Sequence, residues 1–200
     1  LASALFGAPI TEKAVVKTYK CFEKYDVLTP RRILQTGWDG LVKILDEGGY
    51  TRYDFKTATK LLDLSGALRE RYQGDLNRLH DAAAGPRDVE ERLKALAKGI
   101  GEVTVNIFLR EMRTVWKRAR PLPSDFVMLA AVNIGLLPRG RKDKQVALAA
   151  LRDAWNKGKG RPAAFPDLEA ALLRIGKNFC RKKACLRCPV QSECRRTGRS

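Results

Sequence analysis

The chain has 200 residues, 44% hydrophobic and 30% charged, a globular profile with material for one compact unit or two small lobes. Lys and Arg number 39 against 22 Asp and Glu, a formal +17 that favours a polyanionic partner, because each cation placed on a phosphate releases a condensed counterion. A highly soluble basic protein with no ligand would show the same surplus. No apolar run approaches the ~20 residues of a membrane span, and neither a signal peptide nor a strongly amphipathic basic helix is visible. The sequence begins at Leu1 rather than Met, which leaves a trimmed N-terminus open.

Apolar residues recur at steps of three and four along the chain, with no sustained β alternation, so an all-α fold is expected. In chain order, Cys21 sits between Tyr19 and Phe22 in an apolar helical stretch and is read as a core residue. Thr29-Pro30 opens a helix, with Thr29 as its N-cap. Further breaks fall at Gly48-Gly49, Gly85-Pro86, Gly99-Ile100-Gly101, Pro121-Leu122-Pro123 and from Gly158 to Pro166. His80, in the polar stretch LNRLHDAAAG, is expected at the surface. The basic Trp155–Pro166 segment reads as a linker, or as a phosphate contact. Pro166 then opens the last long helix, with Leu168, Leu172 and Ile175 on its buried face and Gly176 as its stop.

The stretch LKALAKGIGEVTVNIFLREMRTVW holds two helical patterns joined by a GIG turn. Val89, Leu93 and Leu96 share one face upstream. Val105, Phe108, Leu109, Met112, Val115 and Trp116 share one downstream. Gly99 and Gly101 permit a tight turn, and the free N–H groups and positive dipole end of the second helix can face a phosphate. A plain helix–helix connection would read the same way. Downstream, in RPLPSDFVMLAAV, Ser124 or Asp125 can cap a helix after Pro123.

Of five cysteines, four crowd the end of the chain as Cys180-x4-Cys185-x2-Cys188-x5-Cys194. A secreted disulfide framework would spread them out. The clustering points to a metal site in a reducing compartment, hence a cytoplasmic protein, nucleoid-associated in a prokaryote. Zinc and [4Fe–4S] both accept four cysteines, and spacing alone favours zinc. Arg181, Lys182, Lys183 and Arg187 lie inside this loop, either as phosphate contacts or as solvated charges.

Together the hairpin, the following carboxylate and the cysteine loop resemble the endonuclease III branch of the helix-hairpin-helix DNA glycosylases. GIGEVTVNIFLRE is similar to that family's Gly-hydrophobic-Gly-x-x-Thr-Ala hairpin: Thr104 matches the Thr, and Val105 stands where Ala is usual. The family's iron–sulfur loop has gaps of six, two and five residues. The last two agree here and the first is shorter, so the resemblance favours [4Fe–4S] over zinc. Gly7-Ala8-Pro9-Ile10-Thr11-Glu12 stands where the family has Ser-Ala-Gln-Ala-Thr-Asp, with Pro9 near the glutamine that fills the gap left by a flipped base. GGYTRY, Gly48 to Tyr53, is similar to the family's Gly-x-Tyr before a lysine-bearing helix. The family also has a helix before this region, and no counterpart is expected in the sequence from Leu1 onward.

The resemblance implies two helical lobes with DNA in the groove between them. A six-helix barrel lobe over 1–122 holds the hairpin at about 89–116, and a cluster lobe covers 123–200. It implies a monomeric base-excision enzyme on double-stranded DNA carrying a damaged or mismatched base. Asp125 is the catalytic carboxylate, and Gly99, Ile100, Gly101, Val103, Thr104 and the loop's basic residues meet DNA. Val103 occupies the place of the lysine that forms a Schiff base in bifunctional members. Water-using, monofunctional excision follows unless another lysine substitutes, and Lys98 is nearest in sequence. Val103 argues against the oxidised-pyrimidine type, and the end of the chain soon after the cysteines argues against an adenine-directed one. Uracil, thymine mismatches and alkylated bases stay open. The competing expectations are a hairpin protein that binds DNA without chemistry, for which Val103 and Pro9 speak, and a zinc-stabilised helical protein that binds RNA.

Overall fold

A computed structural model describes residues 1–158 and 164–195 of the chain. Among them there are ten α-helices, a few single turns and no strand, as an all-α chain requires. The chain divides into two compact units, Leu1–Arg120 and Pro121–Ser200, each with its own apolar core. No described helix is long and apolar enough to cross a membrane.

The first unit runs through α1 (Ala2–Phe6), α2 (Glu12–Lys24), α3 (Pro30–Gly48), α4 (Asp54–Tyr72), α5 (Leu76–Asp81), α6 (Pro86–Lys94) and α7 (Glu102–Glu111). That is one helix more than the six expected, and the region similar to the gap-filling segment is the break between α1 and α2. Local chemistry sets several starts. Thr11 and Thr29 accept the N–H groups of Ala14 and Arg32, and Pro30 occupies the first turn of α3. Asp75 caps α5 through the Asn77 N–H.

Phe22, Leu41, Leu45, Leu61, Leu68, Leu79 and Leu109 fill the core, and Cys21 is buried among them. Tyr50, in the Gly48–Tyr53 turn, is fully buried, and its hydroxyl donates to the Leu5 carbonyl at 2.5 Å. That bond ties α1 to the α3–α4 connection. Where α2 crosses α3, a Cβ on Gly48 would lie 2.4 Å from the Thr18 Cα, so only glycine allows this approach.

Three features depart from the sequence reading. Gly37 has φ 67° and ψ 176°, so α3 is two helical segments joined at that residue. The apolar periodicity runs across it unchanged, which hides the kink. His80 is buried, not superficial. It stacks on Trp116 with ring centroids 4.9 Å apart, and Nδ1 lies 2.8 Å from Asp81 Oδ1. Its neighbours in sequence are polar because α5 is short and shows a single face to the core. Val115 is exposed. Helix α7 tightens into a 3-10 turn over Met112–Thr114, which rotates Val115 outward while Trp116 turns in to donate to Asn77 Oδ1.

The second unit holds α8 (Asp125–Asn133), α9 (Lys144–Lys157) and α10 (Phe165–Ile175). Trp155 to Lys157 belong to α9, which shortens the expected linker, and residues 159–163 of that segment lie outside the described residues. Leu172 and Ile175 are buried on α10, with Leu168 partly so. Gly176 does not stop this helix. The backbone continues through a π-turn, Gly176–Cys180, closed by the Arg181 N–H on the Gly176 carbonyl at 2.9 Å. The glycine serves packing instead: a Cβ there would lie 2.0 Å from the Phe126 carbonyl oxygen of α8. Backbone cannot yield as a side-chain tip does. Gly176→Ala should therefore lower stability by about 1–3 kcal/mol, read as a lower denaturant midpoint. An unchanged midpoint would show that α8 and α10 are not held this close.

Candidate functional site

The GIG turn is built from two different glycine uses. Gly99 has φ +87°, the left-handed region that favours glycine. Gly101 is extended, with φ −101° and ψ −176°, and serves as the N-cap of α7. Between them Ile100 is buried in the core, and its N–H is committed to the Ala97 carbonyl at 3.1 Å. What the turn offers outward is backbone: the first N–H groups of α7 have no acceptor within their own helix. Glu102 puts one carboxylate into that first turn.

The other hairpin residues divide by exposure. Val103 is exposed, at 63%. Thr104 is buried beneath Gly7, whose missing Cβ would otherwise meet the Thr104 hydroxyl at 2.2 Å, so Thr104 acts by seating α1 on α7. Lys98 is exposed in the turn. Sequence reasoning missed Lys60 of α4. Its Cε would stand 3.2 Å from a Cβ at Gly99, so its side chain lies along the turn, and burial pushes its ammonium pKa down. Nothing in the linear spacing links residues 60 and 99.

Asp125 is the first residue of α8. Ser124 does the capping, accepting the Val127 N–H at 3.4 Å. The Asp125 carboxylate is thus free of that task and its side chain is 90% exposed. It pairs with Lys144 at the start of α9, Nζ to Oδ1 2.7 Å. Asp143 beside that lysine is occupied in capping α9, accepting the N–H groups of Gln145 and Val146. Lys144 is a second residue the sequence did not flag, since the pairing exists only once the fold brings the starts of α8 and α9 together.

The cysteine segment is a chain of tight turns. Lys183, Cys188 and Cys194 donate their N–H groups to the carbonyls of Cys180, Cys185 and Gln191. Lys183 itself adopts φ 54°. The far end is tied to α8, where the Asn133 carbonyl accepts the Arg195 N–H at 2.9 Å and lies 3.6 Å from Cys194 Sγ. Arg181, Lys182, Lys183 and Arg187 are all exposed, and the Arg181 guanidinium lies over the Phe126 ring at 5.6 Å.

Cys180, Cys185, Cys188 and Cys194 line a single pocket with Asn133, Phe179 and Gln191. No disulfide joins them. Among the described residues no group of three or more His, Cys, Asp or Glu side chains is placed to hold a metal ion. The four cysteines line one pocket, the lining that a four-thiolate site would use. Four thiols with no imidazole or carboxylate are a donor set that zinc and iron–sulfur clusters both accept.

No family model matches the chain, and no curated protein matches it.

The two turn glycines should respond differently to a methyl group. Gly99→Ala places a side chain at φ +87° and against Lys60, and should cost about 1–2 kcal/mol. Gly101→Ala meets open space at a negative φ and should cost no more than about half of that. Equal losses in chemical denaturation would mean that the turn does not have this shape.

Proposed function

We propose that the protein is a DNA glycosylase of the endonuclease III type, which excises a damaged or mismatched base from double-stranded DNA. The observation that carries this reading is the state of Asp125: a carboxylate at the first position of α8, released from capping by Ser124 and 90% exposed. The hairpin in the first unit supports it, with a left-handed glycine, a buried isoleucine and a helix start that no side chain caps. Such a helix start suits a phosphate because it supplies backbone donors and the positive end of a helix dipole without sequence preference.

The chemistry follows from the bond to be broken. As the base departs, positive charge builds on the deoxyribose ring. The Asp125 anion lowers the energy of that state and can orient or deprotonate the attacking water. The target base must leave the stack to be reached. Val103 offers no amine, so the excision itself uses water. The four loop cysteines would hold a [4Fe–4S] cluster, which supplies a cross-link for a loop too small to have a core of its own. Arg181, Lys182, Lys183 and Arg187 then present positive charge outward toward phosphates.

Two measurements test the reading. In a panel of duplexes with one lesion each, wild type should release at least one base. Asp125→Asn, which keeps shape and removes charge, should bind the same duplex with little change but excise about 100-fold more slowly or worse. Equal excision rates would remove Asp125 from the mechanism, and binding with no release across the panel would leave a DNA-binding protein without chemistry. Separately, protein prepared without oxygen should be brown and contain iron and sulfide. One zinc per chain and no iron would replace the cluster by a zinc staple.

A further inference from the structure

The α3–α4 pair bears two exposed aromatic rings that neither the hairpin nor the carboxylate uses. Trp38 is 39% exposed and Phe55 58%, and their ring centroids lie 5.1 Å apart at an interplanar angle of 41°. We propose that these rings are a stacking site for an unpaired nucleobase, through which the first unit binds single-stranded DNA. The proposal goes beyond the excision reading and makes no use of Asp125.

The rings are held in place. The Trp38 Nε1–H donates to Thr59 Oγ1 at 3.1 Å, and that hydroxyl donates to the Phe55 carbonyl at 3.0 Å. The indole thus has its one polar atom satisfied within the protein and offers a ligand only an apolar face. The backbone also bends to place it. Gly37 has φ 67°, and a Cβ there would meet nothing within 4 Å. Packing does not require that glycine; the left-handed turn does, and Trp38 is the residue that follows it. Neither ring belongs to the core of the unit, so the turn serves an aromatic face left in solvent.

Size and charge decide the occupant. At 39% and 58% exposure, side chains of this kind leave roughly 200 Å² in solvent. A standard protein interface buries about 800 Å² on each partner. The pair is too small to hold a protein by itself and matches the face of one base. Lys56 follows Phe55 and is exposed, and Lys60 lies one turn further on, along the Gly99 turn. Neither is ion-paired among the described residues. Asp54 is turned back onto its own helix, where Oδ1 accepts the Phe55 N–H at 2.7 Å. Asp39, next to Trp38, is one exposed carboxylate against these two cations and a chain surplus of +17. An aromatic face beside cations suits a single strand, because every base has a π-face and every linkage a phosphate. A duplex keeps its bases stacked on one another and offers no such face.

The test uses the full chain and three probes: an oligothymidylate of about 12 nucleotides, a base-free deoxyribose phosphate strand of the same length, and a blunt duplex without lesions. Wild type should bind the oligothymidylate about 10-fold or more tightly than the base-free strand, with quenching of tryptophan fluorescence. Trp38→Ala and Phe55→Leu should each weaken that binding about 10-fold, the scale of one lost stack, and Trp38→Ala should abolish the quenching. Trp38→Phe keeps a π-face and should retain most of the affinity. All three variants should bind the duplex as wild type does, which shows that they are folded. Equal affinity for strands with and without bases, unchanged oligothymidylate binding in Phe55→Leu, or an equal loss on the duplex would each overturn the proposal. Self-association of wild type that Phe55→Leu abolishes, with oligothymidylate binding intact, would assign the rings to a second copy of the chain instead. Base release from the lesion panel tests Asp125 separately, whichever way these measurements fall.

Discussion

The contact on which the second unit depends is the approach of Gly176 to the Phe126 carbonyl, too close for any Cβ between them. It presses α10 and its π-turn onto α8. Two consequences follow from the same contact. The π-turn delivers Cys180 to the pocket that Cys185, Cys188 and Cys194 also line. Helix α8 is held as a rigid element, with Asp125 at its first residue and Asn133 at its last. An extra residue in a helical turn is a strained device, and such bulges recur where a functional side chain must be aimed.

The first unit solves a related problem with different parts. A turn bounded by two glycines must be anchored by its neighbours. Ile100 anchors it from within the core, Lys60 lies along its outer side, and the buried Thr104 under Gly7 fixes the helix that follows. Tyr50 then secures α1 itself through the Leu5 carbonyl. The residues that shape the hairpin are thus mostly buried, not the ones exposed on its surface.

What could be read in the sequence was whatever is written locally. Thr29-Pro30 sets a cap and a first turn within three residues, the GIG turn lies between two apolar periodicities, and the four cysteines announce themselves by spacing. The hidden features needed a partner far along the chain. Gly176 looks like a stop until Phe126 is placed against it. His80 looks polar until Trp116 stacks on it, and Lys144 is an ordinary basic residue until α9 brings it to Asp125. The kink at Gly37 escaped for another reason: the apolar rhythm on either side of it stays in phase, so periodicity carries no mark of the break.

The tie between Asn133 and the end of the cysteine loop gives α8 an unusual mechanical setting. Its C-terminal carbonyl holds the Arg195 N–H, while its N-terminal turn bears the carboxylate. A helix of nine residues is about 13 Å long and too short to persist alone in water. The end of the cysteine loop and the carboxylate thus sit on opposite ends of one short helix, and that helix owes its persistence to the packing around it rather than to its own length.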